Sequence, residues 1–295
     1  MMRLDDERES RYVDDRRGQS GGSQSFAAQG LMFLFSRFGF KGGLVAIAAV
    51  MLAGFFGIDL KPLLGLSAGG QTANSSRLAS SEEQELNTFS RKVLSTTERV
   101  WAAYFQQQGW RAYRPTTLVL YRGGTQSACG YGQATMGPFY CSADEKVYLD
   151  LSFYDDMRKK LKAGGDFAFA YVIAHEVGHH VQHLTGILGQ VHEAQRKLPK
   201  KEANQMMVRL ELQADCYAGV WAHYMMRENR LETGDMEEAF AAAEAVGDDR
   251  LQKQHQGYVV PDSFTHGTSK QRLTWFQRGM QTGDPKQCDT FGAKI

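Results

Sequence analysis

The chain has 295 residues, with 34 basic against 33 acidic and a formal net charge of +1, so charge offers no basis for nucleic-acid binding. Its 42% hydrophobic and 11% aromatic content is that of a globular protein with one large or two modest domains. Six prolines and 31 glycines without an internal repeat exclude collagenous and low-complexity classes.

Residues 1–30 combine mixed charges (DDERESRYVDDRR) with GQSGGSQS. Such a stretch buries too little apolar surface to offset its ordering entropy and is expected to be a disordered tail. Residues 31–60 predict a membrane anchor. Within them Gly42 to Ile58, GGLVAIAAVMLAGFFGI, holds 17 residues without a charge, at the lower edge of a bilayer span. Lys41 and Asp59 bracket the run, and LMFLFSRFGF precedes it with interfacial aromatics. A buried core helix and a cleaved signal peptide are the alternatives. The second is weakened by the polar leader and by Phe55, Phe56 and Ile58, where a cleavage site needs small residues. Arg16, Arg17, Arg37 and Lys41 precede the run, against Lys61 and Arg77 after it. This bias predicts a single span with the N-terminus in the cytoplasm and the rest outside.

Residues 61–85 form a polar linker rich in Ser, Gly and Ala, and 86–295 the main domain. The first helix is expected over 81–108, with Leu86, Phe89, Val93, Val100 and Tyr104 on one stripe. Four cysteines, Cys129, Cys141, Cys216 and Cys288, suit two disulfides in an oxidising compartment. Cys129 and Cys141 flank the glycine-rich GYGQATMGPFY as a local closure would, which leaves Cys216 and Cys288; four free thiols are the alternative. No C-x-x-C spacing supports a zinc site made of four cysteines. FYCSADEKVYLDL, from Phe139 to Leu151, alternates like a hairpin turning at Ala143-Asp144-Glu145.

In DFAFAYVIAHEVGHHVQHLTGI, residues 166–187, Phe167, Phe169, Ala170, Ile173, Ala174, Val177 and Val181 recur at three- and four-residue intervals. That pattern predicts a helix with one buried face, capped by Asp166. His175 and His179, four apart and separated by about 40° around such a helix, can bind one ion side by side. Glu176 is rotated to reach a water on that ion rather than the ion itself. Gly178 leaves room for a close neighbour. His180 turns about 100° away from His179 and predicts a surface or supporting role, while His183 lies a full turn beyond the ion.

Residues 200–229 predict a second long helix, with Met206, Met207, Leu210, Ala214, Ala218, Val220 and Trp221 as its apolar stripe. Glu211 and Asp215 lie in that stripe, four apart. Buried carboxylates need partners, which a zinc ion for Glu211 and a ligand histidine N–H for Asp215 would supply. Ion pairs with Arg209 or Lys201 are the alternative.

HEVGHH followed by ELQAD resembles the gluzincin metallopeptidases, with H-E-x-x-H and a later E-x-x-A-D. With MGPFYC, VYLDLSFYDDM, GDFAFAYVIAHEVGHHVQ and VVPDSFTHGTSKQR, the chain from leader to C-terminus is similar to the neutral zinc metallopeptidase family of bacterial membrane proteins. The resemblance implies a zincin-like α+β, mainly helical domain and one Zn2+ per chain. It also implies a peptide or protein substrate and an extracytoplasmic position on the bacterial inner membrane. It assigns 146–151 to the strand along the cleft, where extended peptide would pair. His266, in a glycine-containing turn before a helix over 269–281, takes the task of hydrogen-bonding the oxyanion, with Arg272 supporting the turn. Tyr217 and Tyr224 are alternative donors. A further helix is expected over 231–253.

The expected protein is a membrane-anchored zinc peptidase with His175, His179 and Glu211 on the metal, Asp215 behind a ligand histidine and Glu176 as the base. The rival is a catalytically silent anchored binding or assembly protein. Its structural zinc would be closed by a fourth ligand such as Cys216 or His183.

Overall fold

The computed structural model describes residues 2–18, 80–133 and 136–295. In chain order the strands are β1 (Val13–Asp15), β2 (Thr117–Tyr121), β3 (Gly124–Ser127), β4 (Gly130–Gln133), β5 (Phe139–Cys141) and β6 (Lys146–Asp150). The longer helices are α1 (Ser80–Gln107), α2 (Asp166–Leu184), α3 (Ile187–Gln195), α4 (Lys200–Arg227), α5 (Asp235–Ala245), α6 (Asp248–Gln256) and α7 (Ser269–Thr282). The protein is α+β and mainly helical.

Four strands form one sheet in the order β1-β2-β6-β5, and β3 with β4 makes a separate hairpin. TLVLY and KVYLD pair in parallel, Leu118 opposite Val147 and Leu120 opposite Leu149. Strand alternation sends these four toward the helical core and Val119, Tyr121 and Tyr148 to a smaller cluster on the other face. β5 is antiparallel to β6, as the hairpin predicted. However, β6 lies between β2 and β5, so among the described residues the sheet's edges are β1 and β5, and residues 146–151 are an interior strand.

Helix α2 is apolar on more than one face. Every residue from Asp166 to Gln182 is buried, because α1, α4, α5 and the sheet enclose it. Asp166 does not cap it: Gly165 stands at the N-cap, Glu238 Oε2 accepts from Phe167 N at 3.1 Å, and the Asp166 carboxylate accepts from Met2 N. α4 crosses close below. A Cβ on Gly178 would stand 3.1 Å from the Ala214 carbonyl oxygen, so glycine is what lets the two backbones approach. Gly219 and Gly279 do the same for α4 and α7, where any side chain would run into the opposing backbone. The helix expected over 231–253 is two, α5 and α6, broken at Gly247, whose Cα faces the backbone of Ser269.

Residues 2–18, the described part of the tail expected over 1–30, are packed rather than disordered, and 19–30 lie outside the described residues. Met2 and Leu4 are buried in the main core, and β1 pairs with β2 in parallel. Arg8 bonds Glu98 at 3.0 Å, and Arg17 reaches Glu83 at 3.2 Å in the first turn of α1. Charges that look solvated in sequence are here partners of a helix far along the chain. α1 begins at Ser80, inside the stretch assigned to the linker.

The apolar run Gly42–Ile58, and with it the anchor expected over 31–60, lies outside the described residues. Among those described, no helix is long and apolar enough to cross a membrane. The packing of residues 2–18 onto the domain gives the expected orientation a direct test. A leader in the cytoplasm and a domain outside would separate strands that the fold hydrogen-bonds together. In intact cells, single cysteines replacing the exposed Asp5 and Lys253 should therefore react with an impermeant thiol reagent from the same side. Labelling from opposite sides would contradict this packing.

Candidate metal centre

A helix buried on every side must give each of its polar groups a partner. His175 and His179 sit 4.8 Å apart between ring centroids, with perpendicular planes. Glu211 from α4 faces both: its Oε2 lies 3.2 Å from His175 Nε2 and its Oε1 3.4 Å from His179 Nε2. One donor atom from each of the three falls within 4.8 Å of the others. Two imidazole nitrogens and a carboxylate are the donor set of a catalytic zinc site.

The other nitrogen of each ring is engaged on the far side. His175 Nδ1 is 2.9 Å from Asp215 Oδ1 and His179 Nδ1 is 2.8 Å from Gln182 Oε1. Both acceptors hold a proton on Nδ1 and leave Nε2 free for a metal. Asp215 has no exposed surface. Arg272 grips it with Nε on Oδ2 and Nη2 on Oδ1, both at 2.8 Å, and Tyr171 donates its hydroxyl to Oδ1 at 2.5 Å. Arg272 is therefore a partner of Asp215 rather than a prop for the His266 turn. Arg209 and Lys201, the alternative partners, are engaged elsewhere, by Ala293 O at 2.9 Å and Asp262 at 3.0 Å.

The charges favour a cation. Glu211, Asp215 and Arg272 together leave one net negative charge in a buried space. Burial would raise the Asp215 carboxyl, but Arg272 and then His175 hold it below its ordinary value. Burial likewise opposes Glu211, which His179 and His175 keep well below the carboxylate range. For His175 burial acts downward, yet the charge and hydrogen bond of Asp215, with the bond from Glu211, lift it to about 10. Without an ion the site thus draws protons to where a metal would sit.

A cleft of about 520 Å³ opens onto these groups. Met136 to Tyr140, Val246, Leu251, His266 and Arg272 line it, together with Glu176 beside His175, His179 and Glu211. Asp248 builds the His266 turn: its Oδ2 accepts from the backbone N–H of Thr265, His266 and Gly267 at 2.7, 2.6 and 3.1 Å. Its Oδ1 lies 3.2 Å from His266 Nδ1, and that bond raises His266 above its ordinary value. Tyr217 and Tyr224 do not line the cleft.

His180 is fully buried, which excludes the surface role. It lies between Tyr140 Oη at 2.9 Å and the Arg114 carbonyl at 2.6 Å, and burial lowers it to about 4. His183 pairs with Glu145 at 3.3 Å. Cys129 is bonded to Cys141, and Cys216 to Cys288, so no thiol is left for a metal.

Two helices thus converge three side chains that could hold a metal ion under an open cleft. The chain belongs to the family described as "Putative neutral zinc metallopeptidase", which matches residues 2–291. It is 53% identical over the whole of both chains to an uncharacterized protein YpfJ of Escherichia coli K12. It is also 43% identical to an uncharacterized protein Rv2575 of Mycobacterium tuberculosis H37Rv, over 61% of this chain and 64% of that one. No solved structure matches it.

Two outcomes follow. Metal and proton compete for His175 Nε2, so zinc uptake at pH 7 should release protons and apparent affinity should strengthen with pH up to about 10. Titration calorimetry in buffers of different ionisation enthalpy measures this; uptake without proton release would contradict it. Arg272→Met leaves Asp215 buried with only His175 and Tyr171 as partners and without its cationic clamp, which should cost about 3–5 kcal/mol in urea unfolding. A loss under about 1 kcal/mol would mean that the pair is not what keeps Asp215 charged.

Proposed function

We propose that the chain is a zinc-dependent peptidase with a zincin-like catalytic domain of the gluzincin type. The observation that carries this is the convergence of His175, His179 and Glu211 in one cleft with Glu176, with no fourth protein donor beside them among the described residues. A structural zinc would need that fourth donor, and the two candidates for it, Cys216 and His183, are held elsewhere.

Bound at the three donors, zinc supplies the Lewis acidity that activates water and polarises a carbonyl. Glu176 accepts the proton of the attacking water and passes it to the leaving amine. His266, fixed at Nδ1 by Asp248, offers its other nitrogen to the oxygen that gains charge in the transition state. Asp215, clamped by Arg272 and Tyr171, keeps the His175 ring in place. β5 is an edge strand whose Phe139 and Tyr140 line the cleft, so extended substrate backbone adds to Phe139–Cys141. The two disulfides suit an oxidising compartment, and the run Gly42–Ile58 supplies membrane contact.

The test uses the full chain, because a fragment lacking residues 2–18 loses β1 and the buried Met2 and Leu4. Glu176→Gln should retain one zinc per chain and lose hydrolysis of an unfolded-protein panel by 10²-fold or more, roughly the range for a proton-transfer group. His179→Ala should lose the zinc. An active Glu176→Gln protein would overturn the assignment.

A further inference from the structure

Behind His179 runs a chain of buried amides that the peptidase chemistry does not use. Gln182, with no exposed surface, and Gln213, almost as buried, lie in the contact between α2 and α4. Gln182 Nε2 donates to the Leu210 carbonyl at 2.7 Å and to Gln213 Oε1 at 3.1 Å. Gln213 Nε2 donates to the Cys288 carbonyl at 3.0 Å.

The direction of every bond is fixed by chemistry. The carbonyls of Leu210 and Cys288 can only accept, so both glutamines must present nitrogen to them. Gln213 therefore turns its oxygen to Gln182, and Gln182 turns its oxygen to His179. His179 Nδ1 must carry the proton, and Nε2 is the nitrogen left for the metal. The chain ends on a backbone carbonyl whose own residue is bonded to Cys216, three positions after Gln213 on α4. The crosslink thus fixes the last acceptor against the helix that carries Glu211.

Resting on the zinc-peptidase reading, we infer that Gln182 and Gln213 are positioning residues that fix the proton and orientation of His179, and that the Cys216–Cys288 crosslink maintains zinc retention through them. His175 is held by a charged clamp, His179 by this neutral relay. Outer partners of metal-bound histidines typically contribute 10–100-fold in affinity.

The experiment loads the full chain with zinc and follows transfer to a chromogenic chelator. Gln182→Met and Gln213→Met, similar in size but unable to donate or accept equivalently, should release zinc about 10–100-fold faster than wild type. With cobalt in place of zinc, both should shift the visible ligand-field bands while far-ultraviolet circular dichroism stays unchanged. Removing the crosslink with Cys216→Ala plus Cys288→Ala should speed release in the wild-type background and add little in the Gln213→Met background. Such non-additivity separates a relay from general loosening. Zinc release unchanged in Gln182→Met, or crosslink removal adding equally in both backgrounds, would overturn the proposal. If the crosslink-free chain does not fold, the two methionine variants decide alone. A wild-type chain that retains no zinc would overturn the peptidase reading, and this proposal with it, whereas normal zinc binding with indifferent variants overturns only the relay.

Discussion

Asp215 is a carboxylate with no solvent contact, and much of the molecule is arranged around keeping it charged. An ionised carboxylate in such a place is unfavourable by several kcal/mol unless matched by charge and hydrogen bonds. The match comes from two other helices: His175 and Tyr171 on α2, and Arg272 on α7, around a carboxylate on α4. Bringing Arg272 within reach requires α7 to press against α4, which the facing Gly219 and Gly279 permit. The capping box at Thr268 and Gln271 starts α7 one turn before Arg272 and gives it a fixed origin. Orientation of His175, a candidate metal ligand, is thus secured by packing between segments as distant in sequence as Tyr171 and Arg272.

The candidate ligands are legible in the sequence because two of them, His175 and His179, sit one helical turn apart and the third, Glu211, is a carboxylate in an apolar stripe. H-E-x-x-H states its geometry through helical spacing alone, and Glu211 with Asp215 can be paired to it because carboxylates in an apolar stripe demand partners. What holds these groups is less legible. Arg272 stands out, but its partner does not, since nothing local in TSKQR points to a carboxylate 57 positions earlier. Tyr171, Gln182 and Gln213 escape notice for a related reason: an amide or phenol in an apolar run looks tolerated until the helix is known to be enclosed. One available signal is that Tyr171 and Gln182 stand four and three residues from the histidines they serve. The sheet edge is misread for a different reason. β5 has only three residues, and which strand of a hairpin faces outward depends on β2, a partner distant in sequence.

The leader shows where composition misleads. Low hydrophobicity and alternating charge describe a segment that cannot fold alone, and residues 2–18 do not. They fold by borrowing a sheet edge at β2 and counter-charges on α1. Met2 and Leu4 supply the buried apolar anchor, and the remaining attachment is through backbone pairing and ion pairs. A window-based reading has no access to partners that far away.

That attachment holds together two parts of the chain that are far apart in sequence. Arg17 and Glu83 are 66 residues apart in sequence and within hydrogen-bonding distance in space. The chain between them therefore begins and returns at one corner of the fold. Separating residues 2–18 from the domain would tear β1 from the sheet and release Leu4 from the core. Burial of one leucine alone is worth about 1.5–3 kcal/mol, and the strand and its ion pairs add to it.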